Sequence, residues 1–581
     1  MKGSQKSDDQ KVDLPYSQQE EHTVPPMNEV EHHHHGDHEK RLVVIPIEEE
    51  AVQEAKHVSL GWRSWLVVFI TCFAIMAQVF VVVAAGSVIA FIIRDVGDPS
   101  LAGWIIQISS TASTLAAIPP LIAFVGAVVS AKATSMNMLI GGGILIGTTL
   151  STISIVQAIP SEILPLKYRA LSNGFAFVGG CIGGIIGALG AGAVTNIDAG
   201  GWRNIFWMQA AFHGATSLGL LLFYWPPKID RPKLSAREIL WAIDPVGSFL
   251  FITSCTLMLL ALDWTGGAYE WSDPHVVAPL TIGLVLLVAF VLYEWKGRDD
   301  GLVAHVFFHR DANFALSVFA FAVEGWIFYS AVNSITPQIV LNLGFENNAW
   351  CISVRNLSFS LTSLLFSLVV TWWSTQFKDL KSPLLVTWVL FLVLTVLYAA
   401  FQPHWNHEQI GFNVIGGISQ SGPLTLLVAC VQFTAPHAFL STATGLAFSA
   451  RAIGGAFGSA VLDAIINGRL AARYAPAVAS AATGAGLPPD SVPALLAALA
   501  VGNVGDLTIP GASPAAWDAA LVESRLQYTE AYRLAWSSII PFVVLAIVAV
   551  ARLKGVEELM TEKVEATVEH VGDKESEKSA A

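Results

Sequence analysis

Three of the charges inside long apolar runs of this chain could do chemistry. Glu324 lies ten residues into Phe314–Val340, Arg355 near one end of Trp350–Trp373, and Arg451 within Ala443–Ile466. A charge at mid-bilayer costs at least about 2.5–3.5 kcal/mol unless it is paired or wetted. One reading makes Glu324 a protonatable group facing a cavity, with Arg355 as a gate or substrate contact. Adjacent antiparallel helices would bring the two toward each other. The other reading is a structural ion pair or a residue near the interface. Arg451 is a further candidate to line the cavity. Gln78, Gln157, Gln209, His213, Asn333 and Gln338 lie within or beside the runs. They either hydrogen-bond a substrate or pair with other helices. Gln78 and Asn333 join the three charges as candidates for the substrate and proton pathway.

Glycines form a second pattern. Gly179, Gly183 and Gly187 recur every four residues, as do Gly180 and Gly184. That spacing lays two glycine rows along one helix face, where a neighbour can approach closely. Gly454 and Gly458 make a weaker pair. Just before the first set, Glu162, Lys167 and Arg169 read as a loop that either sets topology or forms a gate contact between Arg169 and a carboxylate such as Glu162.

Other chemistries find no support. There is no GxxxxGK[ST] loop, no HExxH and no GxSxG, so the chain does not read as an enzyme or as ATP-driven. An ion gradient remains as the energy source. No cofactor or metal is expected. The His32–His35 run reads as a solvated tail, or as a weak metal binder. Cys72, Cys181, Cys255, Cys351 and Cys430 all lie in apolar segments without a disulfide or CxxC pattern. No basic tract with interleaved aromatics points to nucleic acid.

The elements that carry these residues follow from composition. The chain is 54% hydrophobic and 13% charged, against about 25% charged in soluble domains. Much apolar surface must therefore face lipid. The first expected spans are Trp65–Ile93, Leu101–Pro120 running into Leu121–Ala131, Met136–Ile159, Gly174–Val194 and Ile205–Trp225. Those after the linker are Val246–Leu262, Val276–Trp295, Phe314–Val340, Trp350–Trp373, Leu384–Phe401, Phe412–Ala435, Ala443–Ile466 and Leu534–Ala551. Each must be a helix, because lipid offers backbone groups no partners. The division reads as a disordered cytoplasmic tail 1–60, a first bundle 61–225, a cytoplasmic linker 226–245, and helices 246–551 with an external loop 467–533. A disordered cytoplasmic tail, 552–581, closes the chain.

Lys and Arg alternate along the connections, which places the basic set on the cytoplasmic side. The alternation requires Leu101–Ala131 to cross twice, about Pro119-Pro120 as a hinge. Each half would have roughly 15 residues, short of the roughly 20 that a span needs. Helices two and three thus read as shortened or fused, with a loop missing near Pro120.

Four strings carry a family resemblance: RSWLVVFITCFAIMAQVFVVVAAGSVIAFIIRDVG (Arg63–Gly97), IPSEILPLKYRALSNGFAFVGG (Ile159–Gly180), GWRNIFWMQAAFHG (Gly201–Gly214) and LSTATGLAFSARAIGGAFGSAV (Leu440–Val461). With the number and order of spans, the chain resembles the major facilitator superfamily in its fungal fourteen-helix drug:proton antiporter form. It looks like the trichothecene efflux pumps, with siderophore transporters as near neighbours. The resemblance implies an all-α integral membrane fold of 12–14 helices in two bundles and a role as a monomeric transporter. It also implies that the glycine face forms the seam between rocking halves. The function it implies is proton-coupled efflux of a hydrophobic metabolite, toxin or drug across the cell membrane, or a vacuolar or other internal membrane. A siderophore–iron transporter is the alternative. Three departures stand out. The GxLaDrxGrr-type loop after helix two is absent. Gly143 stands where the family has an Arg, and the glycine stretch lacks its usual Pro. The missing loop keeps a third reading open, an inactive or non-transporting membrane protein.

Overall fold

The computed structural model describes residues 61–96, 117–147, 149, 153–195, 200–224, 244–265, 269–299, 301–308, 311–346, 348–500 and 509–564. Among these there are helices and connections and no strand. Eleven of the helices are long and apolar enough to cross a membrane.

The first half holds α1 (Trp62–Val96), α2 (Ile118–Ala131), α3 (Met136–Gly147), α4 (Ile153–Ile163), α5 (Arg169–Thr195) and α6 (Arg203–Phe223). A hairpin follows, α7 (Pro245–Thr265) and α8 (Pro274–Lys296). The second half opens with α9 (Asn313–Gly325), which continues through a π-helical segment, Trp326–Ile335, into α10 (Thr336–Asn342). Next come α11 (Ala349–Phe377), α12 (Lys381–Ala399) and α13 (Asn406–Ser421). A second π segment, Pro423–Leu427, leads into α14 (Val428–Thr434). The chain ends with α15 (Leu440–Gly484), α16 (Val492–Ala500) and α17 (Pro514–Ala551).

Helix directions relate α1, α2 and α6. Ile70 packs at Gly219 while Phe80 meets Phe212, so α1 is antiparallel to α6. The Ser217 hydroxyl donates to the Ala117 carbonyl, and Arg203 donates to the Ala133 carbonyl, each at 2.9 Å. Hence α2 is antiparallel to α6 as well. Thus α1 and α2 run the same way. The stretch between Val96 and Ala117, with most of the expected span Leu101–Pro120, lies outside the described residues. Pro119-Pro120 is not a hinge but the first turn of α2, where a missing N–H costs the helix nothing. The 14 residues of α2 make it about 21 Å long, short of the roughly 30 Å hydrocarbon core. Helix three is thus shortened, as its sequence implies. Among the described residues, α2, α3 and α4 are shorter apolar helices beside the eleven long ones.

Four expectations change. The span Met136–Ile159 is two helices, and α4 runs through Pro160 to Ile163. Ser161 and Glu162 are therefore helical, and Arg169 opens α5 rather than ending a loop. The segment 467–533 is mostly helix among its described residues. Its alanine richness favours helix strongly, and Val478, Leu487, Leu495, Ile509 and Trp517 close a small apolar core there. The C-terminal tail is ordered as far as Lys563, with Leu553, Val556 and Met560 buried. The N-terminal tail, with His32–His35, lies outside the described residues.

The main core sits in the second half. In the most apolar window of α13–α14, 78% of residues are buried, against 17% in α8. The former is therefore a core element and the latter a lipid-facing one. At the base of the hairpin Asp244 adopts a left-handed backbone, φ 50°. Its carboxylate accepts from the Gly247 amide at 3.0 Å and lies 3.5 Å from the Arg298 guanidinium. Burial works against this charge, but contact with Glu294, the Gly247 amide and Arg298 holds the Asp244 pKa below its usual value.

Candidate functional site

The deepest charges meet because glycines let two helices touch. A Cβ at Gly454 of α15 would strike the Ala322 carbonyl, and one at Gly325 would strike the Arg451 carbonyl. Gly455 and Gly458 lie under the rings of Tyr329 and Trp326. This approach sets Arg451 beside Glu324. Arg451 Nε donates to Glu324 Oε2 at 2.5 Å and Nη2 to Oε1 at 3.0 Å. Its Nη1 donates to the Tyr329 hydroxyl at 2.6 Å. Gln420 Nε2 donates to the same carboxylate. The rings of Phe321, Phe328 and Tyr329 surround the guanidinium, with centroids 4.6–5.5 Å away. Glu324 is 0% and Arg451 5% exposed. Such a bidentate pair is among the stronger polar contacts. Both carboxylate-side partners sit just before the π segments Trp326–Ile335 and Pro423–Leu427. π insertions are frequent at functional sites, because they break helix regularity where side chains must be re-aimed.

Arg355 belongs elsewhere. It pairs with Glu346 at 3.2 Å and donates to the Asn406 carbonyl at 2.9 Å and to Gln409 Oε1 at 3.0 Å. It thereby ties the 346 and 406 connections together at the end away from the basic loops. Depth explains why it does not reach Glu324. Eleven residues separate Asn313 from Glu324, about 16 Å of rise. Arg355 is six residues from the opposite helix end, only about 9 Å in.

The remaining candidates scatter. Asn333 is exposed in the π segment, off the ion pair. Gln78 Nε2 donates to the Thr149 carbonyl at 2.8 Å, joining α1 to the α3–α4 break. Gln209 lies 3.4 Å from His213 on the next turn of α6, and Gln338 donates to Ser334 at 3.2 Å. No group of three or more His, Cys, Asp or Glu that could hold a metal occurs among the described residues.

The glycine face packs within the first half, not between halves. Gly179, Gly183 and Gly187 lie against the backbone of Cys72, Met76 and Phe80 in α1. Gly180 and Gly184 touch Val79 and its neighbours. A different face of α5 meets the second half. There Gly174 lies against the Thr371 side chain, Gly192 against Trp350, and Ser353 donates to the Ala188 carbonyl at 3.1 Å.

At the basic end the halves meet through neutral amides and one guanidinium. Asn173 Nδ2 donates to Gln432 Oε1 at 2.8 Å, and the Ser161 hydroxyl donates to the same oxygen at 3.0 Å. Gln157 Nε2 donates to Asn173 Oδ1 at 2.8 Å. Arg169 Nη1 donates to the Gln432 carbonyl at 2.8 Å. Arg169 thus has an interhelical partner in a main-chain carbonyl. Glu162 lies near Tyr224, where burial and then its charge raise the phenol pKa. Lys167 pairs with Glu562 of the tail at 2.5 Å. Gln432, Asn173 and Ser161 carry no charge and sit near helix ends, so nothing in the sequence separates them from ordinary interfacial polar residues.

Comparison with known proteins agrees with this architecture. The family model described as Major Facilitator Superfamily matches residues 111–459. The MFS-type transporter prx5 of Penicillium rubens is 26% identical over 525 residues, 88% of this chain and 95% of that protein. The MFS-type efflux transporter phmH of Phaeosphaeria nodorum is 27% identical over 59% of this chain and 62% of its own length. The efflux pump bfoC of Aspergillus brasiliensis is 26% identical over 57% of each.

Proposed function

The chain belongs to the Major Facilitator Superfamily and is a secondary transporter, and on that premise we propose that it exports a hydrophobic small molecule in exchange for protons. The observation behind this reading is the wholly buried Glu324–Arg451 pair, deep in crossing helices and flanked by π segments. A proton on Glu324 cancels its charge and frees Arg451 from the bidentate contact. Arg451 keeps Tyr329 and its aromatic surround, and its freed N–H groups are then available to acceptor oxygens of a substrate. Loss of the proton rebuilds the pair and displaces that substrate. Gln420 holds the carboxylate in position throughout.

The basic connections mark the cytoplasmic side, so the Gln432 seam is the inner gate and Arg355 lies at the outer end. Rocking of the two halves about a midplane site would open these ends in turn. Efflux is supported by the names of two relatives. Cell membrane is the preferred location.

The test uses a host strain stripped of its own drug pumps and a panel of hydrophobic toxins. The wild-type chain is expected to raise tolerance, and Glu324→Gln at equal membrane abundance is not. Equal tolerance from both would overturn the coupling role. Growth on siderophore iron without toxin tolerance would favour the siderophore alternative, and neither phenotype would favour a non-transporting protein.

A further inference from the structure

Beyond α17 the chain does not leave the membrane-spanning body but crosses its basic end. Asn313, at the start of α9, exchanges two hydrogen bonds with Lys554, at 2.8 and 3.1 Å. Lys381, at the start of α12, donates to the Leu553 carbonyl at 3.0 Å. The segment then turns at Glu557–Leu559 and reaches the connection before α5. There the Leu166 amide donates to the Lys563 carbonyl and the Lys167 amide to the Thr561 carbonyl, each at 2.9 Å. Lys167 Nζ meets Glu562 Oε1 at 2.5 Å. Val556 and Met560 are 5% and 0% exposed, in one cluster with Ala170 of α5 and with Leu166 packed against it.

One end of this segment is thus fixed to the second half and the other to the first. The contact is mixed: main-chain bonds give it register, Met560 gives it an apolar anchor, and the exposed ion pair adds a small and salt-sensitive share. Halves tied in this way cannot part at this end unless the segment lets go. We propose that Leu553–Lys563 is a latch that holds the basic end shut and is released each time that end opens. The proposal rests on the rocking reading given above, but its test needs no substrate and so fails independently of it.

The test uses the full chain with its five cysteines replaced and one reporter, Ser172→Cys. Ser172 is 1% exposed and bonded to Ser161 at the seam. The rate of maleimide labelling reports opening. Met560→Asp with Glu562→Lys should raise that rate at least about threefold, the scale expected from losing an apolar anchor and an exposed ion pair. Adding Lys167→Glu to Glu562→Lys should bring the rate back toward the parent. In a second measurement, Lys167→Cys with Glu562→Cys is oxidised. A disulfide should form, depress labelling below the parent, and release on reduction. An unchanged rate in the Met560→Asp, Glu562→Lys chain, or a cross-linked cysteine pair that labels as fast as the parent, would overturn the latch. Faster labelling in a chain that moves no toxin would keep the latch and count against the efflux reading.

Discussion

Contacts inside a half and contacts between halves are built from different chemistry. Inside the second half, Glu324 and Arg451 form a buried ion pair between helices whose backbones touch through Gly325 and Gly454. Inside the first half, Gly179, Gly183 and Gly187 bring α5 onto the α1 backbone. Between the halves most partners are softer, although Arg169 donates to the Gln432 carbonyl and Gly192 lies against the Trp350 backbone. Neutral amides and hydroxyls gather around Gln432, and Gly174 meets the movable Thr371 side chain. Breaking a buried ion pair strands a charge, whereas a neutral hydrogen bond lost to water costs about 1 kcal/mol net. The comparison therefore assigns rigidity to each half and easy parting to the seam.

The largest effect should come from stranding a charge. Arg451→Ala leaves Glu324 buried alone and is expected to cost about 3–5 kcal/mol, read as loss of folded protein on heating in detergent. Adding Glu324→Gln should recover most of it. Without that recovery, the two residues are not a coupled pair.

Next come the glycines. Gly183→Ala drives a methyl into the Met76 backbone and should cost about 1–3 kcal/mol by overpacking. Gly174→Ala meets the Thr371 side chain, with Oγ1 2.7 Å and Cβ 3.1 Å from the new methyl, and should cost less than Gly183→Ala because a side chain gives way more readily than a backbone. Equal costs would erase the distinction between the two faces of α5.

Gln432→Ala removes acceptors from Asn173 and Ser161 but leaves them near an end that water reaches on opening. We expect about 1–2 kcal/mol, appearing as faster labelling of a seam cysteine rather than as unfolding. The smallest effect belongs to Asn333→Ala, within about 0.5 kcal/mol of wild type, since Asn333 is exposed and apart from the pair. A large loss there would extend the site along the π segment.

Much of the fold was legible because lipid imposes a simple rule: runs of about 20 apolar residues become helices. Glu324 was legible for the same reason, as a lone acid in such a run. Its partner was not. Choosing Arg451 over Arg355 requires knowing that α9 lies on α15, and that follows from glycines whose neighbours no single sequence names. The glycine face of α5 was legible as a close approach, but the spacing is silent on which helix approaches. The seam escaped because Gln432 and Asn173 look like any polar residues near span ends. The tail left little trace: Leu553, Val556 and Met560 are single apolar residues among charges, on a segment that is not an α-helix. The segment 467–533 was misread because alanine with scattered proline and glycine suits loops and short helices alike.

The central claim is that Glu324 carries the proton that drives export. Its most direct test is uptake of a fluorescent hydrophobic toxin into proteoliposomes, with and without an imposed pH gradient. The wild-type chain should accumulate the dye only when the gradient is present. Glu324→Gln should still exchange dye across the membrane, which shows that it is folded, but gain nothing from the gradient. Gradient-driven accumulation by Glu324→Gln at the wild-type rate would contradict the account.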